Sequence, residues 1–276
     1  MKASKAIPHD TKWVFLKQGT CSRTLCYILN REFGHPMETE EKASDPLAGG
    51  IMQQGYQCGQ LLGATLAAGA ESYQRCGNRN QAIGLAIKAT QHILQSFTER
   101  AGSPDCYDIT ESDFTSKWGL TKYLIAGKPV VCFRLADKWA PEAIKAAYEG
   151  LASDPGDLPE QPVSCASEVV KKMGGTDHEM AMVAGFAGGV GLSGNGCGAL
   201  AAAIWMNSLK WCRENPGKDG FNNPRAKETL EVYFKATNYE ILCSELCGRR
   251  FGSIEEHSEF IKEGGCRDLI DALVSA

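Results

Sequence analysis

A chain of 276 residues, 43% of them hydrophobic, is long enough for one large core or for two domains of ordinary size. Its net charge of -4 and pI near 5.8, with Lys and Arg scattered along the chain, provide no basic footprint, so neither nucleic acid nor anionic lipid is an expected partner. The amino terminus, MKASKAIPHDTKWVFLKQ, lacks the apolar centre of a secretory signal, and no stretch reaches the roughly 18 apolar residues of a membrane span. The expectation is a cytoplasmic, soluble protein without a membrane partner.

Long amphipathic or Ala-rich runs dominate and alternating β-branched stretches are scarce, which predicts an all-α fold. After the Gly-rich stretch that begins at Leu47, the segment CGQLLGATLAAGA starting at Cys58 predicts a helix whose small residues let neighbouring backbones approach. Residues 81–100 set Ile83, Ile87, Thr90, Ile93, Leu94 and Phe97 on one helical stripe. Pro129 suits the first turn of the next helix, and Pro141 is a place where that helix can kink or break. Residues 153–162, SDPGDLPEQP, have no apolar period and read as a linker between domains at 1–152 and 163–276. A second small-residue helix follows Cys197, and Pro224 opens another. Ser253 with Glu256 fits a capping box, and Gly264 with Gly265 fits a helix stop, leaving Cys266 at the turn into a final helix.

The twelve cysteines are unusual for a chain with so much core to bury. In a reducing compartment they favour metal ligation or redox chemistry over a disulfide framework, which stays as a rival. They also repeat. At a shift of 139 residues Gly49, Gly50, Gly55, Cys58 and Gly59 fall on Gly188, Gly189, Gly194, Cys197 and Gly198 without a gap, and Cys26 falls on Cys165. Cys76, Cys106 and Cys132 then match Cys212, Cys243 and Cys266 with drifts of a few residues, and Phe97 and Phe234 each stand nine residues before their cysteine. Cys21 and Cys247 are left unmatched. The pattern implies an internal duplication; the bland alternative is that cysteine is a small buried hydrophobe copied with its domain.

Before Cys197 the chain runs GGVGLSGNG. Gly188, Gly189, Gly194 and Gly196, with Gly55 in the first copy, free the backbone to turn amide hydrogens toward an anionic guest. A cysteine opening the next helix gains from the terminal amides and dipole, which predicts a lowered thiol pKa at Cys197 and Cys58. An iron–sulfur cluster is one such guest. Phosphate is another, yet no G-x-x-x-x-G-K-[ST] is present and no strand precedes the loop. Zinc remains a rival without C-x2-C knuckles, and covalent c-type haem is excluded because C-x-x-C-H is missing. His9, His35, His92, His178 and His257 occupy no matched positions; one of them could still complete a cluster.

A cysteine, a glycine-rich run, C-G-x-x-x-G and two cysteines far downstream resemble the C_GCAxxG_C_C redox-active proteins, found mostly in anaerobic bacteria and archaea. Cys58 to Gly63, CGQLLG, carries the motif; the second copy keeps Gly196, Cys197, Gly198 and Ala199 but has Ala202 at the last glycine. The resemblance covers most of both halves and implies a tandem form in which Cys58, Cys106 and Cys132, and Cys165, Cys197, Cys243 and Cys266, are ligands. For the opening cysteine of the first copy, Cys26 keeps the register while Gly19, Cys21 and Ser22 better match the family's opening. Similar domains accompany haem in split-Soret cytochromes; here only a non-haem centre is in play. The implied function is an iron–sulfur redox or electron-transfer protein with a redox partner protein, compatible with a homodimer. A metal-free thiol–disulfide protein and a structural metal-binding scaffold are the alternatives.

Overall fold

The computed structural model describes residues 10–154, 156, 158–218 and 220–276. His9 and the rest of the first nine residues of the amino-terminal segment discussed above lie outside the described residues, as do Pro155 and Asp157 of the expected linker. The described residues hold fifteen α-helices and no β-strand, and none of the helices is long and apolar enough to cross a membrane.

An opening helix, α1 (Thr11–Gln18), precedes a unit that occurs twice. In the first half the unit runs α2 (Cys21–Phe33), α3 (Glu38–Ala43), a left-handed loop, α4 (Gly59–Cys76), α5 (Arg79–Ala101), α6 (Cys106–Thr110), α7 (Lys117–Ile125) and α8 (Pro129–Gly150). In the second half it runs α9 (Cys165–Lys172), α10 (Asp177–Ala184), the equivalent loop, α11 (Gly198–Glu214), α12 (Pro224–Thr237), α13 (Cys243–Cys247), α14 (Ile254–Lys262) and α15 (Arg267–Val274). The fold is thus all-α and duplicated, as the sequence implies.

The helices begin and end for local reasons. Side-chain oxygens of Thr20, Asn78, Ser164 and Asn223 accept from backbone amides in the first turns of α2, α5, α9 and α12, and Gly34, Gly77 and Gly102 close their helices in the left-handed region. Pro141 does not break α8, which runs through it; the face around it buries Trp139, Ala140, Ala143 and Ile144, and packing outweighs one lost backbone bond. At α14 only half of the expected capping box forms. Ser253 accepts from Glu256 N–H, but the Glu256 carboxylate accepts from Gly252 N–H at 2.6 Å instead of from Ser253.

The two halves meet reciprocally. α10 packs on α4, and its counterpart α3 packs on α11, the counterpart of α4, so equivalent faces are exchanged as across a two-fold axis. Close approach is built in: a Cβ on Gly69 would stand 2.4 Å from Ala181 O. Beside the axis Gln57 and Gly196, equivalent positions, face each other; Gln57 Nε2 donates to Gly196 O at 3.2 Å, and a Cβ on Gly196 would lie 2.3 Å from Gln57 Oε1. Only one of the two can carry a large side chain. The segment joining the halves is held too, with Leu158 buried over Gly84 of α5.

Candidate functional site

In each half four cysteines stand in the first turn of four different helices. Cys21, Cys58, Cys106 and Cys132 open or precede α2, α4, α6 and α8, and all four line one cavity of about 230 Å³. Cys165, Cys197, Cys243 and Cys266 stand likewise at α9, α11, α13 and α15 and surround a second space of about 10 Å³. The twelve cysteines are free thiols.

Backbone pairing fixes the second and third cysteine side by side. Cys58 N–H donates to Pro104 O at 2.8 Å and Cys106 N–H to Tyr56 O at 2.7 Å; Cys197 N–H to Ile241 O at 2.8 Å and Cys243 N–H to Asn195 O at 2.7 Å repeat the arrangement. The Gly-rich loop beneath them is the same in both halves. Residues 49–53 and 188–192 are each five consecutive residues with positive φ, including Ile51, Met52 and Gln53 in one and Val190 and Leu192 in the other. Left-handed backbone costs roughly 1–2 kcal/mol for each non-glycine residue, so a turn held twice in this state marks a functional constraint. Gly50 and Gly189 cannot be replaced, because a Cβ would sit 2.4 Å from Tyr56 O and 2.5 Å from Asn195 O.

The glycines named from the sequence divide by role. Gly49 and Gly188 N–H face the sulfurs of Cys21 and Cys165. The amides of Gly55 and Gly194 donate instead to Gly49 O and Gly188 O, at 3.0 and 2.9 Å, and so shape the turn. Gly189 crosses Asn195, and Gly196 makes room for Gln57 between the halves. Gly63, the last glycine of the motif, brings α4 onto α2, since a Cβ there would meet Ser22 O at 2.0 Å.

Cys21, not Cys26, is the counterpart of Cys165. Each is the first residue of a helix capped by Thr20 or Ser164, and each faces the equivalent glycine amide. The gap-free register fails because α2 has 13 residues and α9 has 8. Cys26 lies in the core, where Asn30 Nδ2 approaches its sulfur at 3.7 Å beside the buried Glu41. Cys76 and Cys212 sit near the carboxyl ends of α4 and α11 and line neither space. Cys247, unmatched in sequence, joins the second site: its sulfur is 3.8 Å from Cys243 and 3.6 Å from Cys266. Its place in α6 is held by Thr110, which lines the first cavity. The i,i+4 spacing of Cys243 and Cys247 on one short helix was the available signal.

The expected lowering of thiol pKa at Cys58 and Cys197 does not occur. Burial pushes the Cys58 thiol well above its ordinary value, with Cys21, Cys106 and Cys132 adding to the rise, and it pushes Cys197 up to about 11. Cys21 is pushed up to about 12 by burial and then by Cys132. The terminal amides do oppose this, Gln60 N–H at Cys58 and Leu200 N–H at Cys197, but desolvation of a charge outweighs them. Burial thus favours the protonated thiol at Cys21, Cys58 and Cys197. In the first site the Tyr123 hydroxyl lies 3.3 Å from Cys132 Sγ. Of the histidines, His257 lines the second space; its Nδ1 is 3.2 Å from Val163 O, and burial lowers its pKa to about 4. Among the described residues no group of three or more His, Cys, Asp or Glu side chains is arranged to hold a single metal ion.

This constellation, two cysteine sets on a repeated helical unit, agrees with comparison against known families. The model of the family described as "Putative redox-active protein (C_GCAxxG_C_C)" matches residues 20–140 and again residues 163–276. The chain belongs to the C_GCAxxG_C_C family. It carries the family unit twice in tandem, with Cys58 to Gly63 in one copy and Cys197 to Ala202 in the other. No curated protein and no solved structure matches it.

Proposed function

We propose that this protein is an electron carrier whose first half holds an iron–sulfur cluster on Cys21, Cys58, Cys106 and Cys132. The observation that supports this most directly is the convergence of four thiols, from four helix N-termini, on one cavity of about 230 Å³. Such a cluster is held by cysteine thiolates, and the four sulfurs stand round one volume. Apolar walls from Phe15, Phe114 and Leu135 limit solvent, and the Gly49 amide and the Tyr123 hydroxyl are placed to donate to sulfur, which tunes potential.

The reading is confined to the first half. A space of about 10 Å³ is at the lower limit for a single water molecule. Anaerobic purification, a visible spectrum and iron and sulfide analysis test the proposal. Broad absorption above about 400 nm with iron and acid-labile sulfide, lost in Cys58→Ser, is the expected result. A colourless protein free of iron after anaerobic reconstitution would refute it.

A further inference from the structure

The second half differs in having five cysteines, and two of them are unlike the rest. Cys165, Cys197 and Cys243 are buried, whereas Cys247 and Cys266 are half-buried with their sulfurs in contact at 3.6 Å. Cys266 borders the interior space and also an outer cleft of about 320 Å³ formed with Gly264, Arg267 and Asp268. It is further the one cysteine held with a left-handed backbone, φ 58°, among the described residues, at the turn where it caps the start of α15. Thr110 stands where Cys247 would be in the first half, so the first half has no such pair.

We propose that Cys247 and Cys266 are a reversible dithiol–disulfide pair that reacts with small disulfides entering by the cleft beside Arg267. The Cys266 sulfur attacks one sulfur of R–S–S–R; a Cys266–S–S–R bond forms, the R–S–S–R bond breaks, and the Cys266 proton leaves with the departing RSH. Cys247 then attacks Cys266 Sγ, forming the Cys247–Cys266 bond and releasing the second RSH with the Cys247 proton. Two electrons pass from the protein dithiol to the small disulfide, and two thiols are released. The pair reduces disulfides in this direction and is recharged by small dithiols in the reverse. This activity is independent of the cluster assigned to the first half.

The experiment uses the full chain, purified without oxygen and incubated with glutathione disulfide, then alkylated and analysed by peptide mass spectrometry. The expected result is a cross-linked peptide pair containing Cys247 and Cys266, with two glutathione molecules released per chain. In Cys247→Ser a glutathione adduct accumulates on Cys266, and in Cys266→Ser the cross-link and the adduct both disappear. Full alkylation of Cys247 and Cys266 after incubation, or a Cys243–Cys247 link in their place, overturns the proposal. Visible absorption of the same samples separates the two assignments, since a colourless protein that forms the Cys247–Cys266 link removes the cluster and leaves the dithiol.

Discussion

The two cysteine sites share a skeleton and differ in what covers it. Both have the left-handed turn, the paired second and third cysteines and the four helix N-termini. The difference lies in the covering helix. α14 buries Ile254, His257 and Ser258 and presses Phe260 against Phe251, with ring centroids 5.1 Å apart. α7, in the same place in the first half, buries no residue fully, and Trp118 and Ile125 on it are 77% and 82% exposed. Position by position, Leu120 and Tyr123 of α7 stand where α14 has His257 and Phe260. The shared backbone therefore sets where the sulfurs point, and the cover sets how much space they enclose: about 230 Å³ against about 10 Å³. Duplication kept the scaffold and let the side chains specialise it.

The most severe way to break this comparison is paired substitution of the motif cysteines. On the proposed function, Cys58→Ser is expected to abolish bound iron and visible absorption, while Cys197→Ser is expected to leave both in place; equal losses would show that the sites are alike after all.

The motif glycine gives the next largest effect. Gly63→Ala forces α4 away from the Ser22 carbonyl and costs about 3 kcal/mol in urea unfolding, at the upper end for overpacking. Its counterpart change Ala202→Gly fills no space wrongly and costs only about 1 kcal/mol through backbone entropy.

His257 distinguishes the halves by pH. Burial holds it neutral with a pKa of about 4, against roughly 6.5 in the unfolded chain, so protonation favours the unfolded state. Its contribution is complete above that unfolded value and is lost as pH falls toward 4. Stability measured by urea unfolding drops by about 2 kcal/mol between pH 7.5 and pH 5 from this group, on the linkage relation. His257→Asn keeps a donor for Val163 O and removes that part of the drop; an unchanged pH profile would exclude the role.

Tyr123→Phe is the mildest test. It removes the hydroxyl beside Cys132, matches Phe260 of the second half, and leaves the fold intact. The expected outcome is a shifted reduction potential with full iron content, read by a redox titration.

Much of the fold was legible because helix signals are local and the duplication leaves matching residues in the two halves. Pro129, Pro224 and the glycine stops mark helix boundaries through backbone sterics alone, and the spacing of Gly49 to Gly59 recurs because the same turn must be built twice. What failed did so for non-local reasons. Cys26 matched Cys165 in a gap-free register, yet a helix lengthens by five residues without moving the cysteine at its first position, and only the folded chain shows Cys21 there. Cys247 has no partner in sequence because Thr110 replaced it, or it replaced a threonine, in one copy. The thiol pKa values followed the helix terminus in the sequence reading, whereas in the folded chain desolvation sets their direction.

The sequence by itself determined the helical class, through spacings of a few residues, and the tandem repeat and the set of cysteines, through residue identities that recur between the halves. Only the tertiary structure decided which sulfurs meet and how much room they leave. Those depend on the packing of α7 and α14, on the close approach of α4 to α2, where a Cβ at Gly63 would meet the Ser22 carbonyl, and on the reciprocal contact of the halves, where a Cβ at Gly69 would meet the Ala181 carbonyl.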